Sequence, residues 1–239
     1  SLKWFKGAMD SFQEEIRTFG NFPSLFMSLV ASGRLEDRKG LLAMYEGVLR
    51  FTDEMGQIVQ DDVDPRRYMD VIGEAVDDQS YLKMPYYKPR GLPDGMYRVG
   101  PQARLNTIDG TEAPISNAEW IEYREMRRGA VLSSFHNHYA RLIEMMHCLE
   151  KIEQLLNAPH ILDKHCRAVA EPNEHEGVGV SEAPRGTLFH HYKIDDNGLI
   201  VWANMIIATG NNSLAMNQSV TEVAQHYVKA DRIQEGMLN

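Results

Sequence analysis

A chain of 239 residues has room for one large domain or two small ones, and for a sizeable buried core. Hydrophobic residues make up 43% and charged residues 25%, which excludes a disordered or collagen-like chain. Lys and Arg number 25 against 34 Asp and Glu, a net charge of −9 with no basic block, and this argues against nucleic-acid binding.

The first segment, residues 2–19, reads as an amphipathic helix, because Phe5, Ala8, Phe12, Ile16 and Phe19 recur at steps of three and four. Gly20-Asn21-Phe22-Pro23 ends it. Val48–Phe51 and Gln57–Val59 flank Asp53-Glu54-Met55-Gly56 and predict a hairpin. An acidic turn at 61–65 leads to a short helix over 66–76. In residues 80–115 the prolines 85, 89, 93, 101 and 114 and four interleaved glycines predict an ordered but irregular loop, rich in tyrosine, with no regular element of length.

Ser116 and Glu119 have the spacing of a capping box. From Phe135 the apolar positions continue through His138, Leu142, Met145, Leu149, Ile152 and Leu156 in alternating steps of three and four. That pattern predicts one helix from about 116 to 156, roughly 40 residues and ~60 Å long, packed as a bundle seam. Residues 174–187 read as a Gly-rich loop entering a hairpin, 187–208, whose turn is Asp195-Asp196-Asn197-Gly198. A last helix is expected over about 219–237.

No run of residues approaches the ~20 apolar positions of a membrane span, and Ser1-Leu2-Lys3-Trp4 has no signal-peptide pattern. The chain opens without Met, as a processed protein or a fragment does. Two cysteines, Cys148 and Cys166, form no C-x-x-C pair and are expected as core thiols in a reducing, cytoplasmic compartment. His136 and His138 point apart on a helix, His190 and His191 face opposite sides of a strand, and His160, His165 and His175 lie in turns. None reads as a metal ligand. Walker, GxGxxG, HExxH and GxSxG patterns are absent.

The segment that carries chemistry is Glu182-Ala183-Pro184-Arg185-Gly186-Thr187. Pro184 and Gly186 stiffen the chain on both sides of Arg185, so its guanidinium, five donors in a fixed fork, can be aimed into a cavity at an anionic ligand. The plainer reading is a strand-entry bend with Arg185 paired to a neighbouring carboxylate.

With its continuation Leu188-Phe189-His190-His191-Tyr192, this block resembles the E-A-P-R-G motif of [NiFe]-hydrogenase large subunits, specifically the cytoplasmic, bidirectional, NAD-linked group. Residues 72–76, 85–87, 95–106 and 234–239 agree, so the resemblance covers nearly the whole chain. It implies an α+β, mainly helical fold: a long-helix bundle of the hydrogenase large-subunit type with small β-hairpins. Residues 1–239 would be the central portion of one such domain. It also implies a catalytic subunit for reversible H2 oxidation, built around a NiFe(CN)2CO centre with a nearby Mg. Arg185 falls on the family arginine that donates to a cyanide on iron and assists with the proton from H2. Pro184 falls in the same pocket wall. Thr209 falls on the hydroxyl that meets the other cyanide, although Ala208 stands where the family has Pro. The carbonyl of Met205 falls near the Mg ligand. Implied partners are a small subunit with iron–sulfur clusters, together with diaphorase subunits that carry flavin and NAD; no nucleic acid is implied.

The family holds nickel and iron through two C-x-x-C motifs, and neither is in this chain. Soft thiolates are what such a centre requires, so this chain alone is expected to be inactive. Two other readings remain open. One is a metal-free, hydrogenase-like scaffold that docks an iron–sulfur partner. The other is a relative of the quinone-site subunit of complex I, which carries Lys where this chain has Arg185.

Overall fold

The computed structural model describes residues 2–33, 38–78, 80–164, 166–167 and 171–228. The N-terminal segment is helical: α1 (Leu2–Met9), a 3-10 turn at Asp10–Phe12 and α2 (Gln13–Thr18). Strand β1 (Leu25–Val30) follows, then β2 (Val48–Thr52) and β3 (Ile58–Val63), joined at the expected Asp53–Gly56 turn. The Asp53 carboxylate closes that turn by accepting from the Met55 and Gln57 amides, each at 2.9 Å. With β6 (Tyr97–Arg98) these strands form a four-stranded sheet in the order β3-β2-β1-β6, antiparallel except for β1 with β6.

All six residues of β1 are buried, so the sheet is covered on both faces. Alternate side chains point to opposite sides. Leu25, Met27 and Leu29 join Leu49, Phe51, Tyr68, Tyr87, Tyr97, Phe189 and Ile206 in one core. Val30 joins Leu105, Ile108, Tyr123, Tyr139, Ala140 and Ile143 in a second core under the helices.

The helix expected over 66–76 is cut short. A 3-10 turn at Pro65–Arg67 and the four-residue α3 (Tyr68–Val71) lead directly into β4 (Ile72–Asp77). β4 pairs with β5 (Ser80–Tyr87) as a separate two-stranded ribbon. Residues 80–115 are therefore more regular than their prolines predict. Pro85 is tolerated in β5 because this ribbon has only edge strands. Pro101 opens α4 (Pro101–Thr107) at the position where its missing N–H costs nothing. α4 is buried along its whole length.

The single long helix is instead two, α5 (Pro114–Glu125) and α6 (His136–Leu156). The chain reverses near Gly129, whose φ of +96° suits glycine and whose Cβ would lie 2.9 Å from the Glu54 carbonyl. The helices pack antiparallel, with the Tyr123 and Tyr139 rings 5.7 Å apart. The capping box does not form: Ser116 lies inside the first turn of α5, and Glu150 of α6 accepts from the Ile115 and Ser116 amides at 2.8 Å each. The face that α6 buries holds His136, Tyr139, Ala140, Ile143, Glu144 and His147. The expected seam through Met145, Leu149, Ile152 and Leu156 is exposed. Cys148 and Cys166 are free and exposed rather than core thiols.

The Gly-rich segment is a strand, β7 (Glu176–Ala183), antiparallel to β8 (Gly186–Ile194), which pairs in turn with β9 (Ile200–Ile206). A 3-10 turn at Ala208–Asn212 leads into α7 (Ser213–Tyr227), which starts six residues before the expected position. His165 and residues 229–239 lie outside the described residues. The fold is α+β, and helices do not dominate it as a long bundle. No helix among the described residues is long and apolar enough to cross a membrane.

Candidate active site

Pro184 and Arg185 are the two loop residues of the β7–β8 hairpin, closed by the Ala183–Gly186 pair. Gly186 has φ +137°, and a Cβ there would lie 2.1 Å from Val99 Cγ2. Gly100, with φ +104°, leaves room for the Arg185 carbonyl, 3.1 Å from where its own Cβ would be. The turn thus rests directly on Val99–Gly100, and only glycine permits that approach on either side. Arg185 itself is exposed, and the ion pairs among the described residues do not include it. The expectation of a neighbouring carboxylate partner is not met.

Arg185 and Thr209 open onto the same cavity, of about 380 Å³. Two further arginines, Arg98 and Arg141, line it, together with Gln102, Asn137 and other neutral side chains, and no Asp, Glu, His or Cys. Arg98 is 7% exposed and donates only to backbone carbonyls, those of Leu132 at 2.5 Å, Phe22 at 2.7 Å and Gly20 at 3.4 Å. Its guanidinium also lies 4.3 Å from the Phe22 ring centroid. Burial, only partly offset by the charge of Glu222, with which Arg98 makes no ion pair, pushes its pKa down to about 10. Arg98 Nε and Asn137 Oδ1 are both buried without a hydrogen-bond partner among the described residues.

Two asparagines fix the Thr209 turn to this site. Asn211 Nδ2 donates to the Thr187 carbonyl at 2.8 Å, and Tyr97 donates to Asn211 Oδ1 at 2.5 Å. The Val99 amide donates to Asn212 Oδ1 at 2.8 Å. The segment carrying Thr209 and the hairpin carrying Arg185 are therefore held to the same short stretch, residues 97–100, formed by β6 and the two residues after it.

Pro184 is exposed at the turn and does not line the cavity. Met205, on β9 opposite His190, lines a separate cavity of about 780 Å³ with Glu74 and Asn204. Thr209 lines both cavities. Asn204 Nδ2 donates to Glu74 at 2.9 Å and to the Tyr68 hydroxyl at 3.0 Å. His190 and His191 face opposite sides of β8 as expected: His191 is buried between Tyr68 and Glu176, while His190 bonds the Tyr192 hydroxyl. Among the described residues no three His, Cys, Asp or Glu side chains gather as a metal site.

Sequence reasoning missed Arg98, Arg141, Asn211 and Asn212. Arg98 lies within the recognised block 95–106, but its role emerges only from burial without an acidic partner. Asn211 and Asn212 lie just beyond Thr209, and nothing in their spacing announces the contacts to residues 97–99.

Three arginines, one of them with a buried, unpartnered Nε–H, and no acidic wall fit the surroundings of an anionic group; they do not fit direct ligation of a metal. The cavity lies between the β6–α4 junction, the start of α6, the β7–β8 turn and the start of α7. The chain belongs to the nickel-dependent hydrogenase family, whose pattern matches residues 43–226. It is 35% identical to the vhu-type F420-non-reducing hydrogenase protein of Methanococcus voltae, over 94% of this chain and 51% of that protein. It is also 35% identical to the NAD-reducing hydrogenase HoxS subunit beta of Cupriavidus necator, over 100% of this chain and 48% of that one. A crystal structure of an NAD+-reducing [NiFe]-hydrogenase in the H2-reduced state superposes with a TM-score of 0.89 at 37% identity, covering 99% of this chain and 51% of the other. The chain spans about half the length of these relatives.

Proposed function

We propose that this chain is the central part of the catalytic large subunit of a bidirectional, NAD-linked [NiFe]-hydrogenase. The observation that carries the reading is the unpaired Arg185 on a cationic cavity shared with Thr209. When bound, a nickel–iron centre supplies the heterolytic splitting of H2. Its thiolates would come from the half of the subunit outside these residues, since Cys148 and Cys166 are isolated and do not line the cavity. Arg185 and Thr209 would donate hydrogen bonds to the anionic ligands of the centre, and Arg98 and Arg141 would hold the cavity positive. The proton from H2 would pass to a thiolate from outside these residues or to Arg185 in its neutral guanidine form, since a guanidinium has no site to accept one, and Pro184 would fix the turn that presents Arg185. The Met205 carbonyl, with Glu74 on the same cavity wall, is the reading for a Mg site.

The relatives named for NAD reduction support electron transfer through an iron–sulfur small subunit to diaphorase subunits carrying flavin and NAD. A cytoplasmic location goes with that reading. The 239 residues alone would be inactive.

Replacing Arg185 by Lys in the complete enzyme keeps the charge and removes the planar fork. H2 turnover is expected to fall by at least tenfold. Turnover within twofold of the parent, a loss under ~0.4 kcal/mol, would overturn the role given to Arg185.

A further inference from the structure

Behind the Arg185 turn lies a buried ionic cluster that this reading leaves unused. Arg104 of α4 is 1% exposed. Its Nε and Nη2 donate to the two oxygens of Glu144 on α6, at 2.5 and 2.7 Å. Its Nη1 donates to Glu182 Oε2 at 2.7 Å and to the Ala183 carbonyl at 3.0 Å. The other Glu182 oxygen accepts from the Leu29 amide at 2.8 Å and from the Thr187 hydroxyl at 2.9 Å.

The placement of these bonds is specific. Glu182 pairs with Thr187, and Ala183 with Gly186, so they form the two rungs nearest the Pro184–Arg185 turn. The guanidinium therefore ties the β7 strand of the hairpin neck to α4 and α6, and the Glu182 carboxylate carries that tie on to Thr187 of β8 and Leu29 of β1. The opposite side of the turn rests on Val99–Gly100. Gathering two carboxylates around one guanidinium away from water is costly, and well-packed apolar side chains would fill the same volume at less cost. Burial indeed holds the Glu182 carboxyl above its ordinary range despite Arg104. What the charged cluster supplies, and apolar packing does not, is direction: one edge of a rigid planar fork is held bidentately by Glu144 while Nη1 is committed to the hairpin neck at Glu182 and Ala183.

We propose that Arg104, oriented by Glu144, is a positioning residue for Arg185: it locks the two rungs at the hairpin neck and so fixes the direction in which Arg185 enters the cavity. This rests on the hydrogenase reading of Arg185.

The test compares Arg104→Lys, Arg185→Lys and the double variant in the assembled hydrogenase. The readouts are H2 turnover, nickel and iron content, and hydrogen exchange followed peptide by peptide. Arg104→Lys is expected to assemble with parental metal content and to exchange faster across 183–187 but not across α7. Turnover should fall at least tenfold in the Arg185 background and less than twofold further in the Arg185→Lys background, where no fork remains to be aimed. Glu144→Gln, which keeps shape and loses charge, should give the same pattern with a three- to tenfold loss.

Losses that multiply in the double variant would overturn the proposal, and so would unchanged exchange across 183–187. Failure of both Arg104→Lys and Glu144→Gln to assemble would also overturn it, since the cluster would then hold the fold at large. If Arg185→Lys itself stays within twofold of the parent, the hydrogenase role of Arg185 fails separately. Faster exchange across 183–187 would then still support the lock, and unchanged exchange would overturn it.

Discussion

The interior between the layers of this molecule and its outer surfaces are finished to different degrees. Around β1 and α4 the apolar stripes meet their partners within the chain, and the buried ions are matched. Arg50, 3% exposed at its side chain, reaches Asp61 at 3.0 Å and Asp109 at 2.8 Å. Arg104 takes Glu144 and Glu182. On the outer surfaces, Leu199, Ile200 and Val201 are each more than 60% exposed, and α6 exposes Met145, Leu149, Ile152, Leu155 and Leu156. That stripe has the spacing of a packed helix and meets nothing among the described residues. The same patterning rule thus gives a core in the interior and an open surface outside. The relatives, about twice as long, have the material to cover it. Arg98 breaks the rule in the finished interior, being buried without a carboxylate where the cavity opens.

The contrast can be broken by mutation, and the largest effects belong to the finished interior. Phe189 is fully buried against Tyr68, with ring centroids 4.9 Å apart, and Phe189→Ala should cost about 3–5 kcal/mol in urea unfolding. A loss below ~1 kcal/mol would mean that this core is not formed as described. Gly186→Ala places a Cβ against Val99 at a φ that side chains disfavour, and about 3 kcal/mol of destabilisation is expected. The unfolding midpoint reads it, and an unchanged midpoint would show that the hairpin does not rest on Val99.

Acidification sharpens the comparison next. Burial lowers the pKa of His147, whose Nδ1 lies 3.3 Å from Ser116 Oγ, and likewise that of His136. The unfolded chain therefore takes up these protons first as pH falls. Their contribution to stability is complete above about pH 6.5 and is lost as pH drops below it towards the depressed folded values. Unfolding midpoints between pH 7 and 5 should fall less steeply in His147→Gln than in the parent. Parallel profiles would remove His147 from the account.

The smallest effect on stability belongs to the open surface. Leu149, 66% exposed, can become Lys within about 0.5 kcal/mol. The 239-residue chain should nonetheless self-associate through its apolar faces, and Leu149→Lys should reduce that in light scattering. A monodisperse parent chain would count against reading these residues as part of a larger subunit.

Much of the site was legible because short-range chemistry wrote it. The turns at Asp53–Gly56 and Asp195–Gly198 follow from Asp side chains that accept nearby amides and from glycines at positive φ. Arg185 was found from its flanking Pro184 and Gly186 and from the family motif, and Thr209 from the motif despite Ala208; the fold then brings both to one cavity. Other expectations failed where a distant contact overrode a local pattern. The apolar period through 116–156 carries no sign that Gly129 packs on the Glu54–Met55 turn and splits the helix. The period through Met145 and Leu149 is real, but no described residue covers it, so a seam appears as exposed surface. Prolines at 85 and 101 suggested irregularity because their effect depends on context: an edge strand tolerates one, and a helix start prefers the other.

The sequence by itself determined the β2–β3 and β8–β9 hairpins, the helical character of the N-terminal segment, the lack of paired metal thiolates in these 239 residues and the choice of Arg185 as the candidate cation. These are properties of residue type and near spacing, and neighbouring atoms settle them. Only the tertiary structure decided that Arg185 has no carboxylate partner among the described residues while Arg104, also within the motif blocks, has two. Partners at separations of 40 and 78 residues become neighbours only when α4, α6 and the hairpin pack together, and that packing separates a cation locked in the core from one left free for chemistry.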